Sequence, residues 1–150
     1  MASRTLDLPQ EWAYAVVTAA RHHGRWIPLT RVDAPARALR AGDEVVGRSA
    51  LVLVDRMRVT HADAPHELRL VKTGPLLLGE VVITVRPDGP ARAVVDWAED
   101  GVHLRGPLPR RLTAALLRPS LEAMTALALW RIDRSVHRQR RRRYPSKLRG

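Results

Sequence analysis

The sequence predicts an α+β domain in which an antiparallel meander of about six to seven strands packs against one long C-terminal helix. Three observations predict it. Segments of period-two alternation follow one another through short turns, too closely for the crossover helices that a parallel sheet needs. After them, Leu121, Met124, Ala128, Ile132 and Val136 form one apolar stripe at steps of three and four, the spacing of a helix face. Before them comes a short tryptophan-containing helical segment, and a meander and a helix of this kind can bury their apolar faces only against each other.

The elements follow in order. TLDLP (Thr5 to Pro9) alternates and then meets a proline, which suits a short strand followed by a helix with Pro9 at its first position. From Pro9 to Arg21, Trp12, Val16 and Ala19 or Ala20 fall on one face. Gly24 supplies a helix C-cap, His22, His23 and the flanking arginines occupy the last turn, and Pro28 stops the helix. A valine-rich stretch with turn signals at Ala-Pro and Ala-Gly-Asp leads into Val54 to Thr60, which alternates well. In HELRLVKTG, Leu68, Leu70 and Lys72 alternate against Arg69, Val71 and Thr73. The clearest hairpin is GEVVITVRPDGPARAVVDWAED, where Val81, Ile83 and Val85 share a face, Pro-Asp-Gly-Pro turns the chain, and Ala93, Val95, Trp97 and Glu99 share a face on the return. In the closing helix, Leu127 and Trp130 widen the apolar stripe. Pro119 stands either in its first turn or inside a longer helix that begins near Pro109.

Composition bounds the function. The chain has 150 residues, enough for one core, and its 45% apolar and 27% charged content is ordinary for a globular protein. With no cysteine, thiolate catalysis, thiolate metal sites and disulfides are excluded. The N-terminus lacks the apolar core of a signal peptide, and the run LEAMTALALW is far below spanning length, so the expectation is a cytoplasmic protein with no membrane span. Of the net charge of +11, seven Lys/Arg lie in RQRRRRYPSKLRG at the C-terminus, so the domain at 1–137 is only mildly basic and 138–150 is expected to be a flexible basic tail. Such a tail can hold nucleic acid in a salt-sensitive way. No basic face with interleaved aromatics is visible elsewhere in the sequence, which makes nucleic acid the weaker partner expectation.

The segments HHGRWIPL, GDEVVGRS, KTGPLLLGEVVITVRP and VVDWAED, with the amphipathic closing helix, resemble the START and birch-pollen-allergen-like helix-grip superfamily. Within it the likeness is to the SRPBCC branch of polyketide cyclases/dehydrases and lipid-transport proteins, over roughly residues 3 to 138. The resemblance implies a curved sheet wrapped around the long helix, an elongated apolar cavity between them, and a hydrophobic small-molecule ligand, polyketide-like or lipid-like. Some members cyclise, dehydrate or hydrolyse their ligand and others only carry it. No cofactor is implied. The Arg-rich tail, Pro119 and the lack of phenylalanine depart from the usual pattern.

On that resemblance, strand parity assigns the cavity lining. Val59, Leu68, Leu70, Val81, Ile83, Val95 and Trp97 face inward, Met57 and Met124 give the lining an adaptable character, and Trp12, Trp26 and Leu127 complete the ligand-binding set. Asp55, His61, Lys72 and Glu99 are then polar exceptions on an apolar face. A buried charge costs several kcal/mol unless paired, so each is near a mouth, paired, or a candidate for proton transfer, with Lys72 also considered as a Schiff-base amine. The consecutive His22 and His23 point apart on a helix, cannot chelate one ion, and are expected near solvent, so no metal is assigned.

Overall fold

The computed structural model describes residues 1–49 and 53–143 and, among them, places seven strands, two α-helices and one 3-10 segment around one core. In chain order they are β1 (Ala2–Leu6), α1 (Gln10–Val17), a 3-10 segment (Ala20–Arg25), β2 (Thr30–Asp33), β3 (Glu44–Ser49), β4 (Leu53–Asp63), β5 (Glu67–Pro75), β6 (Leu77–Pro87), β7 (Ala93–Leu104) and α2 (Arg110–Arg143). The strands form one seven-stranded antiparallel sheet in the order β1-β7-β6-β5-β4-β3-β2. Strands β2 to β7 are the expected meander, and β1 adds to its far edge, so the helical segments after β1 carry the chain from one edge of the sheet to the other.

The sheet curls around α2. Ala128, Leu129 and Ile132 are buried in one core with Leu6, Val59, Leu68, Ile83, Val85 and Val95, and Val136 continues the buried stripe. Arg4 on β1 donates through Nε and Nη2 to Asp133 Oδ2 at 2.9 and 2.7 Å, which ties the edge strand to the helix. By length and composition α2 could cross a membrane, with a mean hydropathy of 1.2 in its most apolar window. Its stripe of Ala128, Leu129, Ile132 and Val136 is buried on the sheet, while most of the apolar stretch is not, 22% of it being buried. Pro119 lies inside α2, which begins just after Pro109, so the longer-helix alternative holds. The helix also runs past residue 137 to Arg143, into the segment expected to be tail, and 144–150 lie outside the described residues.

Two local expectations change. The first helix is two turns, ends at Val17, and buries Ala13, Tyr14 and Val17, leaving Trp12 67% exposed. Ala13/Val17 and Trp12/Val16 have the same spacing one residue apart, and the small Ala13 lets the helix approach the sheet while Tyr14 reaches to donate to Glu67 O at 3.2 Å. Gly24 is not a C-cap: it sits within the 3-10 segment, and a Cβ there would stand 2.5 Å from Thr30 O. Its requirement is for space rather than for a left-handed backbone.

Because Ile132 is fully buried and Leu116, on the same helix, is 69% exposed, their truncations should differ. Ile132→Ala is expected to cost about 2–5 kcal/mol and Leu116→Ala less than about 0.5 kcal/mol, read from urea unfolding midpoints at unchanged slope.

Candidate functional site

Between the 3-10 segment, strands β2 to β7 and Met124 of α2 lies a cavity with a volume of about 90 Å³ open to the centre of a water-sized sphere. Most of its wall is aliphatic. Leu68, Leu70, Val81, Ile83, Val32, Val45, Met57 and Met124 line it together with His23 and Trp97. Three ionisable side chains from three strands enter this wall together: Asp55 from β4, Lys72 from β5 and Glu99 from β7.

The local sequence explains why they face inward. Lys72 shares parity with Leu68 and Leu70, and Glu99 shares it with Val95 and Trp97, so burying those apolar neighbours turns the charged side chains in as well. The register sets Lys72 opposite Met57 on β4 and Val81 opposite Glu99 on β7. Lys72 is 3% exposed and Glu99 6%. Lys72 Nζ donates to Asp55 Oδ2 at 2.5 Å and stands 3.5 Å from Glu99 Oε2, so one ammonium bridges strands on both sides of β6.

Burial disfavours the Lys72 ammonium, but Glu99 and Asp55 outweigh it and hold the pKa above the ordinary lysine value. Glu99 moves the other way from a usual paired carboxylate: burial raises its pKa, Lys72 only partly offsets this, and the Asp55 charge raises it further. The cluster is therefore a charged lysine with two carboxylates, and burial makes Glu99 keep its proton more readily than an ordinary glutamate does. A lysine held protonated is a poor nucleophile, which speaks against Lys72 as a Schiff-base amine.

Hydrogen bonding in the cavity wall is incomplete. Among the described residues, four buried side-chain atoms have no hydrogen-bond partner: Trp26 Nε1, Asp55 Oδ1, Trp97 Nε1 and Glu99 Oε2. Three of these belong to residues that line the cavity, and of them Glu99 Oε2 is already ion-paired with Lys72 Nζ at 3.5 Å. That leaves one indole donor, Trp97 Nε1, and one carboxylate oxygen, Asp55 Oδ1, which a ligand with both a donor and an acceptor would satisfy.

His23 is a member of the site that the sequence left near solvent. Its ring lies 5.2 Å from that of Trp97 at 42°, and its Nε2–H donates to Val17 O at 2.8 Å, so Nδ1 carries the free lone pair. Burial lowers its pKa, more than the Val17 carbonyl restores, and keeps the ring neutral. In a 3-10 segment neighbouring residues diverge by about 120°, so His22 turns outward as His23 turns in. That these two residues sit in a 3-10 segment rather than the last turn of an α-helix is not visible in their spacing.

The other expected site residues divide. Met57, Leu68, Leu70, Val81, Ile83, Trp97 and Met124 line the cavity with Asp55, Lys72 and Glu99, whereas Val59 and Val95 are buried in the core beside it. Trp12 points to solvent, and Trp26 and Leu127 lie outside the cavity wall. His61 is displaced from the site: a bulge between Val59 and His61 skips Thr60, pairs His61 with the outward Arg69, and leaves its side chain 55% exposed and 4.0 Å from Glu67 Oε1. No grouping of His, Asp and Glu suited to a metal ion occurs among the described residues.

No protein-family model matches the chain, and no curated protein matches it. Solved structures do. A START superfamily protein from Mycobacterium smegmatis is similar at a TM-score of 0.68 with 14% identity, over 88% of this chain and 94% of that one. A Thermobifida fusca protein matches at 0.68 with 17% identity over 91% of both chains. A Thermus thermophilus protein matches at 0.66 with 16% identity over 92% of this chain and 96% of that one. At these identities the likeness concerns the fold.

Lys72→Met should strand two buried carboxylates and cost about 3–5 kcal/mol, with part of the loss recovered when Asp55→Asn and Glu99→Gln are added; urea unfolding reads both. The raised pKa of Glu99 means that the folded state holds a proton the unfolded chain has released. Its contribution is thus present in acid and lost as pH rises through the raised value. Glu99→Gln is expected to flatten this decline, so that stability plotted against pH falls less steeply above the ordinary carboxylate range.

Proposed function

We propose that this chain, which folds as a START-like helix-grip domain, binds a compact, mostly apolar molecule in its cavity and performs proton transfer on that molecule's polar end. The observation that carries the reading is the Lys72–Asp55–Glu99 cluster set in an aliphatic wall with hydrogen-bonding capacity left over. A water needs about 10–15 Å³ by the same measure, so 90 Å³ holds roughly six to nine such groups. That suits a small ring, or one segment of a polyketide-like or lipid-like chain whose remainder extends through the mouth.

Dehydration of a β-hydroxy carbonyl segment fits the three groups best. Asp55 takes the proton from the carbon beside the carbonyl, and the Lys72 ammonium stabilises the negative charge that develops on the carbonyl oxygen. Glu99 gives its proton to the departing hydroxyl, which leaves as water. The proton on Asp55 then returns to Glu99, either directly or through solvent, and the site is restored. Aldol-type ring closure uses the same base and the same ammonium. The apolar wall supplies orientation and exclusion of water. A carrier would use the same contacts without turnover, and Asp55→Asn separates the two: a carrier keeps its ligand unchanged, whereas the enzyme binds and no longer converts it.

Gly47 offers a direct test of occupancy. It lines the cavity with Val45 and Ser49, its φ is not in the left-handed region, and an added Cβ would meet Asp55 only at ordinary contact distances of 3.8 and 3.9 Å. Native mass spectrometry of the purified protein is expected to show one small apolar molecule bound, and Gly47→Val is expected to remove it while the circular dichroism spectrum is unchanged. The reading fails if the wild-type protein carries no such molecule and neither 2-naphthol nor anilinonaphthalene sulfonate binds it in a Gly47-dependent way.

A further inference from the structure

The fold builds a second recess that the sequence does not reveal. It is a groove of about 310 Å³ between the end of the 3-10 segment and the C-terminal part of α2, lined by Arg25, Trp26, Trp130, Arg131, Arg134 and Arg138. None of these residues lines the cavity. On α2, Trp130, Arg134 and Arg138 stand at steps of four and share one face. Arg131 donates from Nη1 to Trp26 O at 3.2 Å and holds the two walls together. The Arg134 guanidinium lies 4.8 Å from the centre of the Trp130 ring, and that indole is 40% exposed.

The groove is also free of acids. Between Glu11 and Asp33 the sequence has no Asp or Glu, and beyond Glu122 it has only Asp133. Asp133 is engaged by Arg4 and by His137 Nε2 at 3.1 Å. Among the described residues, the four arginines of the groove form no ion pair with a carboxylate. The sequence of the same helix adds Arg140, Arg141, Arg142 and Arg143.

We propose that this groove binds single-stranded nucleic acid, with phosphates on the arginine forks and a base on the Trp130–Arg134 platform. Guanidinium groups match phosphate oxygens in paired geometry, and indole and guanidinium planes both take an unstacked base. The volume suits one nucleotide at a time. A duplex, whose bases are already stacked, would engage the charges but not the platform. The two halves of the site lie about a hundred residues apart in the chain, so the basic face with interleaved aromatics forms only when the 3-10 segment docks on α2.

The test is fluorescence anisotropy of the full chain with a labelled oligouridylate, against a labelled duplex of equal length, at low and moderate salt. The single strand is expected to bind more tightly than the duplex and to weaken as salt rises. Trp130→Ala is expected to weaken single-strand binding roughly tenfold, and Arg134→Gln with Arg138→Gln to reduce the salt dependence as well. Both sites are at the surface, and circular dichroism confirms the fold; should Trp130→Ala fail to fold, Arg25→Gln with Arg138→Gln carries the test. Duplex binding equal to or tighter than single-strand binding overturns the proposal. So does affinity that survives these substitutions, which would assign it to the residues beyond the groove. Retention on phosphatidylglycerol vesicles without oligonucleotide binding overturns it too.

Discussion

The seating of α2 in the curled sheet is the constraint from which the remaining features follow. Ala128, Leu129 and Ile132 belong to the core on the concave face, and the helix packs chiefly on β7 and β1 at one edge of the sheet. Burying the leucine and the isoleucine contributes about 1.5–3 kcal/mol each. Small Ala128 allows close approach, and the Arg4–Asp133 pair secures the edge strand. Toward the N-terminal end of the helix the contact thins, and Met124 is the α2 residue that reaches the cavity wall. The concave face beyond it is left to the sheet's own side chains and the 3-10 segment, and the cavity is the space they do not fill.

Within that space the three-residue charge cluster is a poor device for stability. Removing an ammonium and two carboxylates from water costs several kcal/mol per ion, and well-packed apolar residues of similar volume often serve at least as well. The cluster retains an oxygen, Asp55 Oδ1, with no hydrogen-bond partner and a carboxyl whose proton is held above the usual range. A purely structural pairing would close those valences. A charged cluster of this kind in an apolar cavity is what the proposed binding site rests on.

The 3-10 segment belongs to both recesses. His23 turns to the cavity and rests on Trp97, while Arg25 and the following Trp26 turn to the basic groove. A tighter helical repeat makes this division possible, because consecutive side chains diverge and a few residues can serve opposite sides of one segment. Thr30 O lies against Gly24 so closely that any side chain there would displace β2. The segment's position is thereby set from the sheet side.

The sequence by itself determined what is periodic. Strand alternation named the meander and the shared faces of Leu68, Leu70 and Lys72 and of Val95, Trp97 and Glu99, and the three-four spacing named the buried side of α2 at Ala128, Ile132 and Val136. Those signals are local, since one strand or one helix face is enough to carry them. The tertiary structure decided everything that depends on how elements meet. It brought Asp55 and Glu99 to the same ammonium from opposite sides of β6, and it turned His61 out through a bulge whose cause lies in the pairing of β4 with β5. It chose Ala13 over Trp12 for burial, and it joined Trp26 to Trp130 across the length of the chain. Register, bulges and helix docking are set by contacts between distant segments, and no periodicity within one segment records them.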